Sequence, residues 1–164
     1  MNTLRQYAMI IGFLVCIFIG YAFAETDADE PYAFMNAVIQ ATKMIKSSAD
    51  QFAPKEIPSG GINALFLVTQ MRTNFDSAIS DVKKARALME DYKDSKNKFI
   101  KEADEAMLVP LDLLIDNYQK EIEHFEAMTS AQGASEEDKK KMSDQARELM
   151  LARKDILRLC TASA

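Results

Sequence analysis

The chain has 164 residues and carries 20 basic and 25 acidic side chains, for a net charge of −5 at neutral pH. This acidic balance argues against a nucleic-acid-binding protein, which needs a basic face, and it gives no long-range attraction to anionic lipid. The length suits a single domain with a hydrophobic core of its own.

The N-terminal segment has the pattern of a secretory signal peptide. Arg5 is the only charged residue before an uncharged, apolar stretch from Ala8 to Phe23. Ala22-Phe23-Ala24 places small residues where a signal peptidase cleaves, and an acidic run follows. The stretch is at the short limit for spanning a bilayer, so an uncleaved anchor is the less favoured alternative. We predict removal of residues 1–24, which leaves 25–164 as one helical domain.

Cysteine usage bears on the compartment. Cys16 would leave with the signal peptide, so Cys160 would be the only thiol of the mature chain. Small secreted domains are often held by disulfides, and no Asn-x-Ser/Thr sequon is present. These features favour the bacterial periplasm, with an extracellular location next. A lone exported thiol suggests a disulfide-linked homodimer through Cys160; the alternative is an apolar cysteine buried on the last helical turn.

The first predicted helix opens near Pro31, a residue favoured in the first turn, with Asp29 or Glu30 as its cap. Pro54 stops it, and the prolines and glycines of residues 53–61 form the clearest joint of the chain. Its predicted buried face follows steps of three and four: Met35, Val38, Thr42, Ile45, Ala49 and Phe52.

The second predicted helix spans about residues 62–92, and Arg72 and Arg86 fall on its apolar stripe. In one interpretation the two arginines lie along the stripe and pair with acids of a neighbouring helix. In the other they hold an anion. We favour ion pairing. The apolar members of the stripe are Leu65, Val68, Phe75, Ile79, Val82 and Met89.

The third predicted helix follows a polar turn, with Asp94 or Ser95 as its cap, and runs to about Thr129. Pro110 has no N–H to donate, so it predicts a kink in a continuous helix. Glu121 fills the one gap in an otherwise apolar stripe: Phe99, Ala103, Met107, Leu111, Leu114, Tyr118, Phe125 and Met128.

Ser135 and the three acids after it mark the start of a fourth helix, because serine is a good cap and acids suit the positive end of the helix dipole. Its predicted buried face contains Met142, Leu149, Ala152, Ile156 and Leu159, with Gln145 as a polar exception. Short joints make consecutive helices antiparallel. The sequence therefore predicts an all-α, up-down-up-down four-helix bundle.

Glu121 and His124 form a Glu-x-x-His pair on one helical face, which is the spacing used by ferritin-like metal-binding bundles. Such a site also needs inward carboxylates from other helices, and none lies on the predicted buried faces. We favour the alternative, in which Glu121 pairs with Arg72, Arg86 or a base of the fourth helix and His124 lies at the surface.

Other chemistry finds little support. Covalent haem attachment needs Cys-x-x-Cys-His, which is absent, and methionine on a helix face is usually a flexible core filler. No Gly-x-Ser-x-Gly motif occurs, and no residue that could act as a general base towards a Cys160 nucleophile lies near it in the sequence. We therefore predict no cofactor and no enzymatic activity.

The leading functional hypothesis is an exported, non-enzymatic accessory protein that binds a protein partner or client through helical surfaces. A metal-binding bundle that uses Glu121 and His124 is one alternative. Reversible binding of a lipid surface or an apolar ligand, by opening of a Met- and Phe-rich bundle, is the other.

Overall fold

The computed structural model describes residues 29–52, 64–131 and 135–163, and four helices make up nearly all of these residues. The helices are α1 (Asp29–Asp50), α2 (Ala64–Glu90), α3 (Lys98–Ser130) and α4 (Glu136–Ser163). Within these ranges there is no strand, and the predicted all-α fold is confirmed. The signal segment, residues 1–24, and the Pro/Gly joint, residues 53–61, lie outside the described residues. The side chains of residues 64–68 and 163 are likewise not described.

Each helix packs against its successor along the chain, whereas α1 and α4 meet at only a few positions. Two ion pairs fix the direction of α2 against α3. Arg72, early in α2, pairs with Glu126, late in α3, while Arg86 pairs with Asp112. The two helices therefore run antiparallel, as the bundle prediction requires.

The helix starts are set by local hydrogen bonds. Asn97 is the N-cap of α3, because its side chain accepts the N–H groups of the second and third helical residues. The prediction of Asp94 or Ser95 as this cap is wrong: Ser95 donates instead to Glu30 of α1, at 2.7 Å. The predicted cap of α4 is confirmed, since Ser135 Oγ accepts the N–H of Asp138 at 3.1 Å.

α3 continues through Pro110, as predicted, and does not restart there. Because proline has no N–H, the carbonyl of Ala106 lacks its helical donor at the turn where the sequence predicts a kink. Pro110 and the adjacent Leu111 are both buried, so this interruption lies against the core.

The buried face of α1 differs from the predicted one. Met35, Thr42 and Ala49 are only half-buried, because the helix is rotated by about one residue. Alanine at 37 and 41 lets the backbone approach its neighbours closely, which the predicted face would not. The residues buried in α1 are Phe34, Ala37, Val38, Ala41, Ile45 and Ser48.

α4 is also rotated from its predicted orientation. Cys160 is the only buried side chain among those described in α4, while the predicted core residues Ala152 and Leu159 are exposed. At the ends of α3, Phe99 and Met128 are exposed too. Most of the core therefore comes from α1, α2 and α3.

We expect Leu114→Ala to lower the free energy of unfolding by about 2–5 kcal/mol, because it leaves a cavity in the core. Leu114 has no exposed surface, whereas its neighbour Leu113 is 47% exposed. The matched control, Leu113→Ala, should change the free energy by no more than about 0.5 kcal/mol. Urea denaturation followed by far-UV circular dichroism measures both, and equal losses would contradict the assigned core face of α3.

Candidate functional site

A buried ion pair joins α3 to α4. Arg153 Nη1 donates to Glu121 Oε2 at 2.8 Å, and the two side chains are only 13% and 6% exposed. Asn117 lies one turn before Glu121 on the same face of α3, and its Nδ2 donates to Glu121 Oε1 at 2.7 Å. Both carboxylate oxygens of Glu121 are thus engaged.

The guanidinium of Arg153 lies on an aromatic cluster, which we define as Phe52, Phe75 and Tyr118. Its Cζ is 4.3 Å from the ring centroid of Phe52 and 6.0 Å from that of Tyr118, so cation–π attraction adds to the ion pair. The rings of Phe52 and Tyr118 stack at 5.5 Å, and the Tyr118 hydroxyl lies 3.3 Å from Ser48 Oγ. Arg153 therefore ties α4 to both α1 and α3.

The electrostatic balance at Glu121 is unfavourable. Burial raises the pKa of Glu121, Arg153 and Asn117 lower it, and the net change is upward. The upward change means that the two partners do not fully offset the loss of hydration. The pair is therefore a specific contact between the helices and a weak source of stability.

His124 and Glu121 contact different residues of α4. His124 Nε2 lies 2.8 Å from the backbone oxygen of Met142, and because a carbonyl only accepts, Nε2 carries the hydrogen. No group of three or more His, Cys, Asp or Glu side chains in the described ranges could hold a metal ion. Glu121 pairs with a base of the fourth helix, as in the ion-pairing alternative, whereas His124 is half-buried and bonded to α4. The metal site at Glu121 and His124 stays a prediction.

The two predicted anion-site arginines are separated in the structure and already paired. Arg72 is largely exposed, so it does not lie on the buried face, and it pairs with Glu126 at 3.3 Å. Arg86 is half-buried and pairs with Asp112 of α3 and with Glu90, the latter at 2.6 Å. The two side chains do not form a joint anion site, and each connects α2 to α3.

Cys160 is buried in the core, and its thiol is free. Burial raises the pKa of its thiol to about 12, so the reactive thiolate is scarce at neutral pH. A disulfide to a second chain needs an accessible thiol. The position of Cys160 matches the buried apolar alternative, and a homodimer linked through Cys160 stays a prediction.

An open groove of about 500 Å³ lies on the outer side of the α3–α4 pair. We call it the outer groove; its lining residues are Lys120, Glu123, His124, Gln145, Glu148, Leu149 and Ala152. Lys120 is paired with Asp116 at 2.6 Å. Glu123 and Glu148 have no basic partner among the described side chains, so the groove is negatively charged.

Helical spacing places three more apolar side chains in line with the outer groove, beyond the residues that line it. Leu113 lies seven residues before Lys120, and Leu159 lies seven after Ala152, a spacing that returns to within about 20° of the same helical direction. Val109 lies one turn before Leu113. All three apolar side chains are exposed, so the helical spacing predicts apolar surface next to the acidic groove.

Sequence reasoning missed Asp104, whose carboxyl group is fully buried in α3. Neither of its oxygens has a hydrogen-bond partner among the described residues. Burial, and then the charges of Glu105 and Glu90, raise the pKa of Asp104 to about 6. Its spacing could have indicated burial, because Asp104 lies four residues after Ile100 and three before Met107, both of which are buried.

Comparison of the chain with protein-family models, with curated proteins and with solved structures found no match. None of the described helices is both long enough and apolar enough to cross a membrane. Functional inference therefore depends on the side chains themselves.

We expect Asp104→Asn to stabilise the protein at neutral pH. A folded-state pKa of about 6, above the ordinary 3.8, makes ionisation of Asp104 oppose folding. The contribution of Asp104 to stability should be most favourable below about pH 4 and should fall as the pH rises to 7, by roughly 3 kcal/mol. Urea titrations at a series of pH values should therefore show a smaller fall over this range in Asp104→Asn than in the wild type.

Glu105→Gln is the matched control, since Glu105 is the exposed neighbour of Asp104. It should leave most of the pH dependence in place. A pH profile that Asp104→Asn does not alter would show that the carboxyl group is hydrated or paired in solution.

Proposed function

We propose that this is an exported, non-enzymatic helical-bundle protein that binds a protein partner. The partner contributes a basic amphipathic helix, which lies in the outer groove between α3 and α4. The observation that carries the proposal is a groove that contains two carboxylates without a basic partner among the described side chains. Exposed large apolar side chains lie in line with it by helical spacing.

The shape of the groove suits a helix. Two antiparallel helices leave a furrow between their ridges, and a third helix can pack into it with apolar residues repeating at three and four positions. Val109 and Leu113 of α3 and Leu159 of α4 are exposed, and helical spacing places them in line with the groove. A partner that contributes leucine-type side chains would remove this surface from water.

The charge of the groove selects the partner. Glu123 and Glu148 face the groove without a basic partner in the described chain, while Lys120 is already paired with Asp116. Lysines or arginines on the polar flank of a partner helix would meet these carboxylates. Such complementarity speeds association and excludes acidic competitors.

The other features of the chain agree with this proposal. The signal-peptide pattern of residues 1–24 supports export, most directly to the periplasm. Glu121 is held by two partners and is unsuited to general acid or base chemistry. The negative groove also disfavours an anionic lipid surface as its occupant, which favours a protein over a membrane.

A designed peptide of about 18 residues, some five helical turns, tests the proposal. It carries a leucine stripe flanked by lysines, and its counterpart carries glutamates instead. We expect the labelled lysine peptide to bind the wild-type protein by fluorescence anisotropy and the glutamate peptide not to bind. Glu123→Lys/Glu148→Lys should weaken binding at least tenfold, roughly 1.4 kcal/mol, and Leu113→Glu should weaken it as well.

Asp50→Lys/Asp76→Lys is the control, since it makes the same change of charge at exposed positions of α1 and α2. It should bind the lysine peptide nearly as the wild type does. Equal losses in the two double variants would mean that net charge alone attracts the peptide, and the groove would then not be the binding site. Binding of vesicles of anionic lipid in place of the peptide would favour the membrane alternative.

A further inference from the structure

α4 is attached to the bundle in a different way from the other helices. α3 buries nine side chains and α1 buries six, whereas Cys160 is the only buried one among those described in α4. Ile156 and Leu157 add half-buried apolar contacts. Apolar packing therefore holds α4 at its C-terminal half and contributes less along the rest.

Three polar contacts fasten the remainder of α4 to α3. Arg153 pairs with Glu121, Asn117 Nδ2 donates to the carbonyl of Leu149 at 3.3 Å, and His124 Nε2 donates to the carbonyl of Met142. We call these three contacts the polar clasp. Their α4 positions lie within about 60° of one another around the helix, so all three contacts are on the same side of α4.

The polar clasp gives specificity with little net stability. A buried ion pair contributes about as much as an apolar pair of the same size, or less, and the raised pKa of Glu121 shows that burial outweighs its partners. On its other edge, α4 meets α1 at few positions. Elements held by few buried apolar groups open at a lower free energy than the whole fold.

We propose that α4 is a latch, which swings away from α3 as a unit while α1, α2 and α3 stay folded. Opening breaks the polar clasp, uncovers the side of the aromatic cluster that Arg153 covers, and removes one wall of the outer groove. The latch itself is independent of the proposed function. Its coupling to partner binding rests on that function, because the groove exists only while α4 is docked.

Cys160 provides a native reporter of this opening. Among the described side chains of α4 it is the only buried one, and Cys16 is the only other cysteine of the chain. A thiol reagent reaches Cys160 when α4 leaves its place, when the last helical turn frays or when the protein unfolds, and of these only the first depends on the polar clasp. If the protein is prepared with residues 1–24 still present, it should carry Cys16→Ser, so that Cys160 is the only thiol that reacts.

The experiment measures the rate at which an aromatic disulfide reagent labels Cys160 over a range of urea concentrations. Global unfolding is followed in parallel by far-UV circular dichroism. At low urea we expect the labelling rate of Cys160 to depend only weakly on the urea concentration. We also expect it to be far higher than global unfolding would allow. His124→Ala and Asn117→Ala should raise this rate several-fold with little change in the urea midpoint, and Arg153→Ala should raise it at least tenfold.

Val82→Ala is the control, because Val82 is fully buried in α2, away from the polar clasp. It should lower the urea midpoint and leave the low-urea labelling rate unchanged. If labelling followed global unfolding in the wild type and in every variant, α4 would not open separately and the latch would be excluded. Should Arg153→Ala fail to fold, the two milder variants still decide the question.

The lysine peptide separates the latch from the proposed function. If the peptide occupies the outer groove, saturating peptide should slow Cys160 labelling in the wild type at least several-fold, since bound α4 cannot swing away. Clasp-dependent labelling that the peptide leaves unchanged would retain the latch and contradict the groove as the partner site.

Discussion

The ion pair between Glu121 and Arg153 determines how α4 sits on the rest of the bundle. A buried guanidinium and a buried carboxylate have to meet, because either one alone would lose its hydration without compensation. Their meeting fixes both the height of α4 along α3 and its rotation about its own axis. Asn117 and Phe52 then hold the two charges in place.

The rotation of α4 explains why predicted core residues of this helix lie on the surface of the molecule. If α4 turned by about one residue, Ala152 and Leu159 would face the core, which is the arrangement that apolar periodicity alone favours. The structure instead turns Arg153 and Cys160 inward and leaves Leu159 exposed. One buried charge pair thus transfers apolar surface from the core to the outside, where helical spacing places it in line with the outer groove.

Sequence periodicity was sufficient for the number of helices, their order and the serine cap of α4, because these depend on local spacing and local hydrogen bonds. It failed on which residues face inward. In α1, two adjacent stripes share Val38 and Ile45, and the small alanines of the true stripe give a weaker hydrophobic signal than Met35 does. Packing of neighbouring helices, which local spacing does not contain, decides between the two stripes.

The candidate site was only partly visible in the sequence for the same reason. Glu121 stood out because it interrupts an apolar stripe, and a base of the fourth helix was among its expected partners. The identity of that base, Arg153, was not expected, since a pattern search places charged residues on the outer face. Asp104 was missed on the same assumption, and so was the outer groove, which requires both helices in their final rotation.

Glu121 and Asp104 show how the same cost of burial has different consequences. Both carboxyl groups lie on the inner face of α3, and burial raises the pKa of each. Glu121 has two partners, one of which belongs to α4, so its burial depends on the docking of that helix. Asp104 has no described partner, so its cost falls on the whole fold and varies with pH. Glu121 therefore links the opening of α4 to the outer groove. Asp104 instead lowers the free energy of global unfolding, with which the opening of α4 is compared.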